Sequence, residues 1–156
     1  MRSFSALLAA LTLTLGSVWV GASYATNEET LLVIVHAQSP VEQVSAYEIE
    51  ALFTRAQTRW DGGTAVYPFS FPAGSGPRES FDRVVLRLNP EQVGRFWLDR
   101  RIRGLGMPPK QVPNGTMMVQ IVANLQGAVG YVPASRTKPS GVKVVARIVQ
   151  GKVVAP

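Results

Sequence analysis

The sequence predicts a single α/β domain, and three observations lead to this expectation. Short runs of strand-forming residues alternate along the chain with segments whose apolar residues recur at helical spacing. No repeat, low-complexity tract or internal linker divides the chain. Its length of 156 residues suits one ordinary domain. Alternation of this kind favours a mixed or mainly parallel sheet flanked by helices.

Residues 1–25 have the features of an export signal. Arg2 provides an early positive charge, an apolar stretch follows, and the small residues Ser23 and Ala25 suit cleavage after Ala25. The alternative is a membrane anchor, but the apolar run is shorter than the ~20 residues that span a bilayer. The expected mature protein is therefore periplasmic, consists of one domain over 26–156, and has no membrane span.

The first strand and helix of this domain have plain local signals. Residues 31–36 form a continuous apolar run, as a strand buried on both faces requires. Ser45 and Glu48 match a capping box, in which each side chain accepts a hydrogen bond from the other residue's backbone. Residues 57–64 are expected to form a turn before a strand over 65–71. The expected buried stripe of the first helix is Ile49, Leu52 and Phe53.

Three further helices and two strands are expected after residue 71. Asn89 followed by Pro90 is typical of a helix N-cap and first helical position. A loop is expected over 104–113, and the last two strands over 128–132 and 142–149. The apolar positions expected to mark the second, third and fourth helices are Phe81, Val84, Val85 and Leu88; Val93, Phe96 and Trp97; and Met118, Ile121, Val122 and Leu125.

The composition argues against an enzyme and against a bound metal. The chain has no cysteine, and His36 is its one histidine, at the end of a buried strand. Gly74-Ser75-Gly76 does not have the spacing of a nucleophile elbow, and no pair of carboxylates suggests acid and base roles. We therefore expect no catalytic residue, no transition-metal site and no cofactor.

The charge balance suggests an anionic partner. The formal net charge is +6, and it concentrates over residues 95–110, where five Lys and Arg face one Asp. A solvated helix face explains this stretch in the simplest way. The alternative is a surface for an envelope protein, with Arg100, Arg101 and Arg103 as its expected contacts. Nucleic acid is not expected as a partner, because export removes it and no recognition motif accompanies the charge.

The segment 71–85, FPAGSGPRESFDRVV, resembles a strand end that leads into a helix start. Free N–H groups in the first turn and the helix dipole favour an anion at such a place. Plain capping explains the same residues, with either Ser75 or Gly76 as N-cap. Pro77 suits the first turn of a helix but has no N–H to donate.

A family resemblance adds to these local signals. SAYEIEALFTRAQTRWDGG (45–63), a strand, and then GSGPRESFDRVV (74–85) resemble the second lobe of periplasmic phosphate-binding proteins of ABC transporters. QGAVGYV (126–132) resembles a late strand of that lobe. The resemblance implies a single lobe of the type II periplasmic-binding-protein fold, with a phosphate-like oxyanion at Ser75 and Gly76.

Two departures from the family pattern bear on that implied site. Pro77 stands where the family has a hydroxyl donor, and Phe71 stands where it has an arginine. Arg78 is the remaining candidate for a nearby cation. The other lobe of the family has no counterpart in this chain, so we expect weak binding of an oxyanion or presentation of the surface to a partner.

Overall fold

The computed structural model describes residues 29–135 and 139–156, so the expected export signal lies outside the described residues. The strands are β1 Leu31–His36, β2 Tyr67–Ser70, β3 Lys110–Gln111, β4 Ala128–Pro133, β5 Val142–Val149 and β6 Lys152–Val154. The helices are α1 Ala46–Phe53, α2 Gly76–Phe81, α3 Pro90–Ile102 and α4 Gly115–Asn124. A π-helical segment, Asp82–Leu86, continues α2 directly.

The six strands form one mixed sheet in the order β3-β2-β4-β1-β5-β6. β2 pairs in parallel with both β3 and β4, whereas β1 is antiparallel to β4 and β5, and β5 is antiparallel to β6. Helices flank this sheet. The predicted α/β class is therefore confirmed, and of the two sheet types that the sequence left open, the mixed one is present.

Both predicted capping signals are confirmed. The Ser45 side chain accepts from the Glu48 N–H, and Glu48 in turn accepts from the Ser45 N–H at 2.7 Å. The hydrogen bonds that the Glu48 carboxylate accepts from the Ser45 hydroxyl and from the Ser45 N–H hold the pKa of Glu48 below its usual value. Asn89 and Gln92 form a second box at the start of α3, with both hydrogen bonds at 2.9 Å. Pro90 occupies the first position of α3, as expected.

The structure differs from the sequence expectation in short elements and helix ends. β3 is two exposed residues inside the expected loop, with no apolar pattern to announce it. β6 follows β5 through Gln150 and Gly151, both at positive φ, as a two-residue hairpin requires. α4 ends at Asn124, so Leu125 is the C-cap and is 37% exposed rather than part of the buried stripe.

Strand β4 carries the centre of the core. It lies between β1 and β2, and its Tyr131 is fully buried. The Tyr131 ring stacks on Phe81 with the centroids 4.0 Å apart and 5° between the planes. Phe71 meets the same ring edge-on at 5.5 Å, and Phe53 lies at 5.8 Å. One tyrosine therefore joins β4 to α1, to α2 and to the segment that follows β2.

Gly127, directly before β4, provides a test of how this strand is positioned. Its φ is +81°, and an added Cβ would lie 2.1 Å from the carbonyl oxygen of Ala65. Gly63 has nearly the same φ, +84°, but open space around its Cβ position.

We expect Gly63→Ala to cost about 1–2 kcal/mol of unfolding free energy from the left-handed backbone alone. Gly127→Ala is expected to cost at least about 3 kcal/mol, because the backbone at Ala65 must also move. Urea unfolding of the two variants measures the difference, and equal losses would contradict this account.

Candidate functional site

The candidate segment leaves the sheet where ligands of α/β proteins commonly bind. β2 and β4 are neighbours and parallel, so their carboxyl ends lie at the same edge. Residues 71–75 follow β2 at that edge and lead into α2. Sites in such sheets form outside the carboxyl ends of the strands, beside helix starts. The candidate residues from the sequence therefore lie at the edge of the sheet where ligands of such folds commonly bind.

Ser75 is the N-cap of α2, so of the two capping alternatives the structure has the first. Its backbone is extended, with φ −81° and ψ 144°, but its side chain makes no capping hydrogen bond. The hydroxyl instead donates to the Pro72 carbonyl at 2.7 Å, and the Ser75 N–H is directed to the same oxygen at 3.3 Å. The loop therefore occupies both donors of Ser75, the hydroxyl and the N–H.

The first turn of α2 still carries unused backbone donors. Within the described part of the chain, no acceptor is bonded to the N–H of Gly76 or to that of Arg78. Pro77 lies between them at the second helical position and has no N–H. Gly76 is exposed, and an added Cβ there would meet no atom within 4 Å. The open backbone at Gly76 is the part of this segment that an anion can approach.

The guanidinium of Arg78 is directed into the protein. Arg78 is only 7% exposed, and its Nε donates to Asp82 at 2.6 Å. Its Nη1 donates to the Ser70 hydroxyl at 2.9 Å and to the Phe71 carbonyl at 3.2 Å. Burial raises the pKa of Asp82 above its ordinary value, and the charge and hydrogen bond of Arg78 partly offset that effect. Arg78 thus joins α2 to the end of β2.

Sequence reasoning missed Asp82 and Ser70 as the partners of Arg78. The spacing of Arg78 and Asp82, four residues apart on a helix, was the available signal for the ion pair. Ser70 had no such signal, because its contact depends on how α2 packs over β2. Phe71, at the position where the family resemblance implies an arginine, is buried against Tyr131.

A second concave region lies at the same edge of the sheet and was not expected from the sequence. This open cleft of about 480 Å³ lies beside the end of β4 and the start of α4. It is lined by Phe71, Gly115, Thr116, Val119, Val132, Pro133, Ser135, Pro139 and Ser140. None of these lining residues is charged, and neither Ser75 nor Gly76 is among them. The cleft is therefore apolar with a few hydroxyl groups.

The arginines of the alternative surface have different surroundings. Arg103 forms an ion pair with Asp99 at 2.9 Å, and Arg95 pairs with Glu91. Arg100 lies over the rings of Phe96 and Trp97, with its Cζ 5.5 and 6.0 Å from their centroids. The Arg101 side chain, by contrast, is exposed and has no hydrogen bond or ion pair among the described residues.

The single histidine of the sequence has a local hydrogen-bond partner. The His36 Nδ1 accepts a hydrogen bond from the Gln38 N–H at 3.1 Å, which fixes the tautomer with the proton on Nε2. No group of three or more potential metal ligands occurs in residues 29–135 and 139–156. Over the same residues, no helix has both the length and the apolar character needed to cross a bilayer.

Comparison with solved structures shows which fold this is. A phosphate ABC transporter substrate-binding protein from Clostridium perfringens, with bound phosphate, superposes with a TM-score of 0.60 at 20% identity, over 75% of this chain and 44% of its own. An ABC-type phosphate transport receptor from Vibrio cholerae gives 0.59 at 18% identity, over 75% and 45%. PstS from Borrelia burgdorferi gives 0.60 at 12% identity, over 75% and 46%.

These similarities confirm the fold that the family resemblance implied. At such identities they show the fold alone, and this chain spans a little under half the length of those structures. No family model matches the sequence, and no curated protein matches it. The roles of Ser75, Gly76 and Arg78 stay predictions.

The buried ion pair makes a pH-dependent stability test. Arg78→Met leaves the Asp82 carboxylate buried without its cation, which we expect to cost about 3–5 kcal/mol of unfolding free energy at pH 7. The folded-state pKa of Asp82 is already raised, and it rises further in this variant. The folded variant therefore binds the Asp82 proton more tightly than the unfolded chain, so the penalty is smaller at pH 4 and grows as the pH rises through that folded pKa.

Urea unfolding at pH 4 and pH 7 measures this dependence. The control is Arg78→Met/Asp82→Asn, in which no charge is left buried, and it is expected to recover most of the loss at pH 7. A penalty in Arg78→Met that is the same at both pH values would refute this role of Asp82.

Proposed function

We propose that this chain is an exported, non-enzymatic domain of the phosphate-binding-protein type, which binds phosphate or a related oxyanion weakly at the start of α2. The supporting observation is the pair of unused N–H groups, at Gly76 and Arg78, at the carboxyl end of β2. Proteins of the same fold are described as phosphate-binding and one contains phosphate. Periplasmic location after signal cleavage belongs to this proposal.

Each of the three site residues has a distinct role in the proposal. Gly76 donates its N–H and lets the anion approach the backbone closely. Ser75 donates its hydroxyl after rotating it away from the Pro72 carbonyl, 2.7 Å away. Arg78 contributes its N–H, while its guanidinium stays with Asp82 and holds the loop in place through the Phe71 carbonyl.

This set of donors supports only weak binding. Hydrogen bonds to a charged group contribute about 1.5–3 kcal/mol each, and here one of the three donors must first leave the Pro72 carbonyl. Within the residues that the structure describes, no second lobe covers the site to exclude water. Affinity is therefore expected near the millimolar range, about −4 kcal/mol.

Phosphate titration of ligand-free mature protein tests the site. We expect saturable chemical-shift changes at the Gly76 amide at millimolar phosphate, with a small rise in the melting temperature. Ser75→Ala is expected to weaken binding several-fold, because it removes one donor without disturbing the backbone N-cap.

Thr116→Ala is the matched control, since Thr116 is a hydroxyl residue at the start of α4 on the uncharged cleft. It is expected to leave the phosphate response unchanged. If Thr116→Ala abolishes the response and Ser75→Ala does not, the anion binds at α4 and the proposed site is wrong. No response up to several millimolar phosphate would exclude a free-standing anion site.

A second candidate function is a protein-interaction module in the envelope, which uses the arginine-rich surface over 95–110. The observation that favours it is the exposure of large apolar side chains among these arginines. Exposed apolar groups of this kind commonly mark a surface that another molecule covers.

A further inference from the structure

Four large apolar side chains are exposed at the end of α3 and in the loop after it. Leu98 is 49% exposed, Ile102 77%, Leu105 52% and Met107 61%. Leu98 and Ile102 are one helical turn apart, so they lie on the same face of α3. We call these four residues the α3 patch. The core of the domain does not need them, and large apolar side chains that are exposed together in one short segment are candidates for a surface that another molecule covers.

The loop that carries Leu105 is held in one conformation by Arg100. The Leu105 N–H donates to the Arg100 carbonyl at 2.8 Å, and the Arg100 Nη2 donates to the Leu105 carbonyl at 3.0 Å. The guanidinium is itself held over Phe96 and Trp97. Leu105 is therefore presented in a fixed position, which lowers the entropy cost of docking it into a partner. Arg100 acts here as a positioning residue.

The charge around the α3 patch restricts what can cover it. Arg101 lies three positions after Leu98, which makes the two side chains neighbours on α3, and it has no carboxylate partner in the described residues. The stretch 95–110 carries five Lys and Arg against one Asp. A second copy of this chain, docked face to face, would bring like charges together at a cost of several kcal/mol. Charge complementarity instead requires carboxylates on the partner.

Two observations favour a protein segment over an anionic lipid surface. Arg95 and Arg103 are already paired with Glu91 and Asp99, so the excess positive charge of this face is confined to a few side chains, among them Arg101, which suits a defined carboxylate better than a continuous anionic layer. The fixed position of Leu105 suits a defined apolar contact, whereas a fluid lipid layer requires none. An anionic membrane remains the competing occupant that the experiment must separate.

We infer that the α3 patch docks an acidic amphipathic segment of another envelope protein. Its four apolar side chains are the anchors of this contact. Arg101 binds a carboxylate of the partner, and Arg100 positions Leu105. This inference rests on the second candidate function and names the chemistry of its partner. It gives the three arginines of that surface different roles. Arg101 contacts the partner, Arg100 positions Leu105, and Arg103 is paired with Asp99 within the protein.

A synthetic amphipathic helical peptide with glutamate and leucine side chains is the probe. When this peptide is added to the mature protein, we expect saturable shifts of the amide resonances over 98–107. We also expect its binding to weaken as the salt concentration is raised. Ile102→Ser/Leu105→Ser is expected to weaken binding at least about tenfold through lost anchors. Arg101→Glu is expected to weaken it similarly, whereas Lys152→Glu, the same charge change on the exposed strand β6, is expected to have little effect.

Arg100→Lys separates positioning from charge. It keeps the positive charge but cannot reproduce the stacked, bonded guanidinium, so we expect weaker peptide binding together with altered amide resonances at Leu105 in the free protein. Unchanged binding in this variant would overturn the positioning role. Far-UV circular dichroism and the melting temperature confirm that each variant is folded.

Two further probes make failures distinguishable. If a matched peptide with glutamine in place of glutamate binds equally well, the surface docks a partner, but the inference that this partner must be acidic is wrong. If phosphatidylglycerol vesicles shift the same amides and the acidic peptide does not, the occupant is a membrane and the inference is overturned. If no probe affects residues 98–107, both the inference and the interaction function fail, whereas the phosphate response at Gly76 is unaffected.

Discussion

The ring of Tyr131 is the contact on which the rest of the structure depends. It lies on the central strand β4 and stacks flat on Phe81, with Phe71 and Phe53 around it. Burial raises the pKa of its hydroxyl, so the side chain stays neutral at neutral pH and well above it. Because Phe81 ends α2 and Phe71 follows β2, this cluster fixes both sides of the candidate anion segment. The geometry of that segment is therefore set by the core.

The same packing explains what the candidate segment can donate. Arg78 lies one helical turn before Asp82 and is drawn inward to it, to Ser70 and to the Phe71 carbonyl. A buried carboxylate without this cation would carry a large desolvation cost, so the guanidinium is committed to the fold. Ser75 is likewise engaged by the Pro72 carbonyl. Backbone N–H groups are what the fold leaves open, and these discriminate poorly among oxyanions.

The sequence predicted those elements that have local signals. The apolar run of β1, the capping box at Ser45 and the N-cap at Asn89 each depend on neighbours within one or two turns, and the structure has all three. The expected helical face of Phe81, Val84, Val85 and Leu88 is present only in part, because a π-helical segment over Asp82–Leu86 ends before Leu88. β3 could not be predicted, because two exposed residues become a strand only by pairing with β2. The inward turn of Arg78 escaped prediction for the same reason: its partner Ser70 is brought near by tertiary packing. Local pattern identified the candidate segment, whereas long-range contacts determine which of its donors are free.

The two candidate surfaces differ in what the fold leaves unsatisfied. At the start of α2 the side chains are paired within the protein, and an anion there must compete with the Pro72 carbonyl for Ser75. At the end of α3 the situation is reversed, since apolar side chains are exposed and Arg101 has no partner in the described part of the chain. Covering apolar area yields about 25 cal/mol per Å², without a competing internal contact to break. An occupant of the α3 patch would therefore gain free energy from apolar burial without breaking an internal contact, although association costs offset part of it, whereas an oxyanion at Gly76 must displace the Ser75 hydrogen bond to gain its third donor.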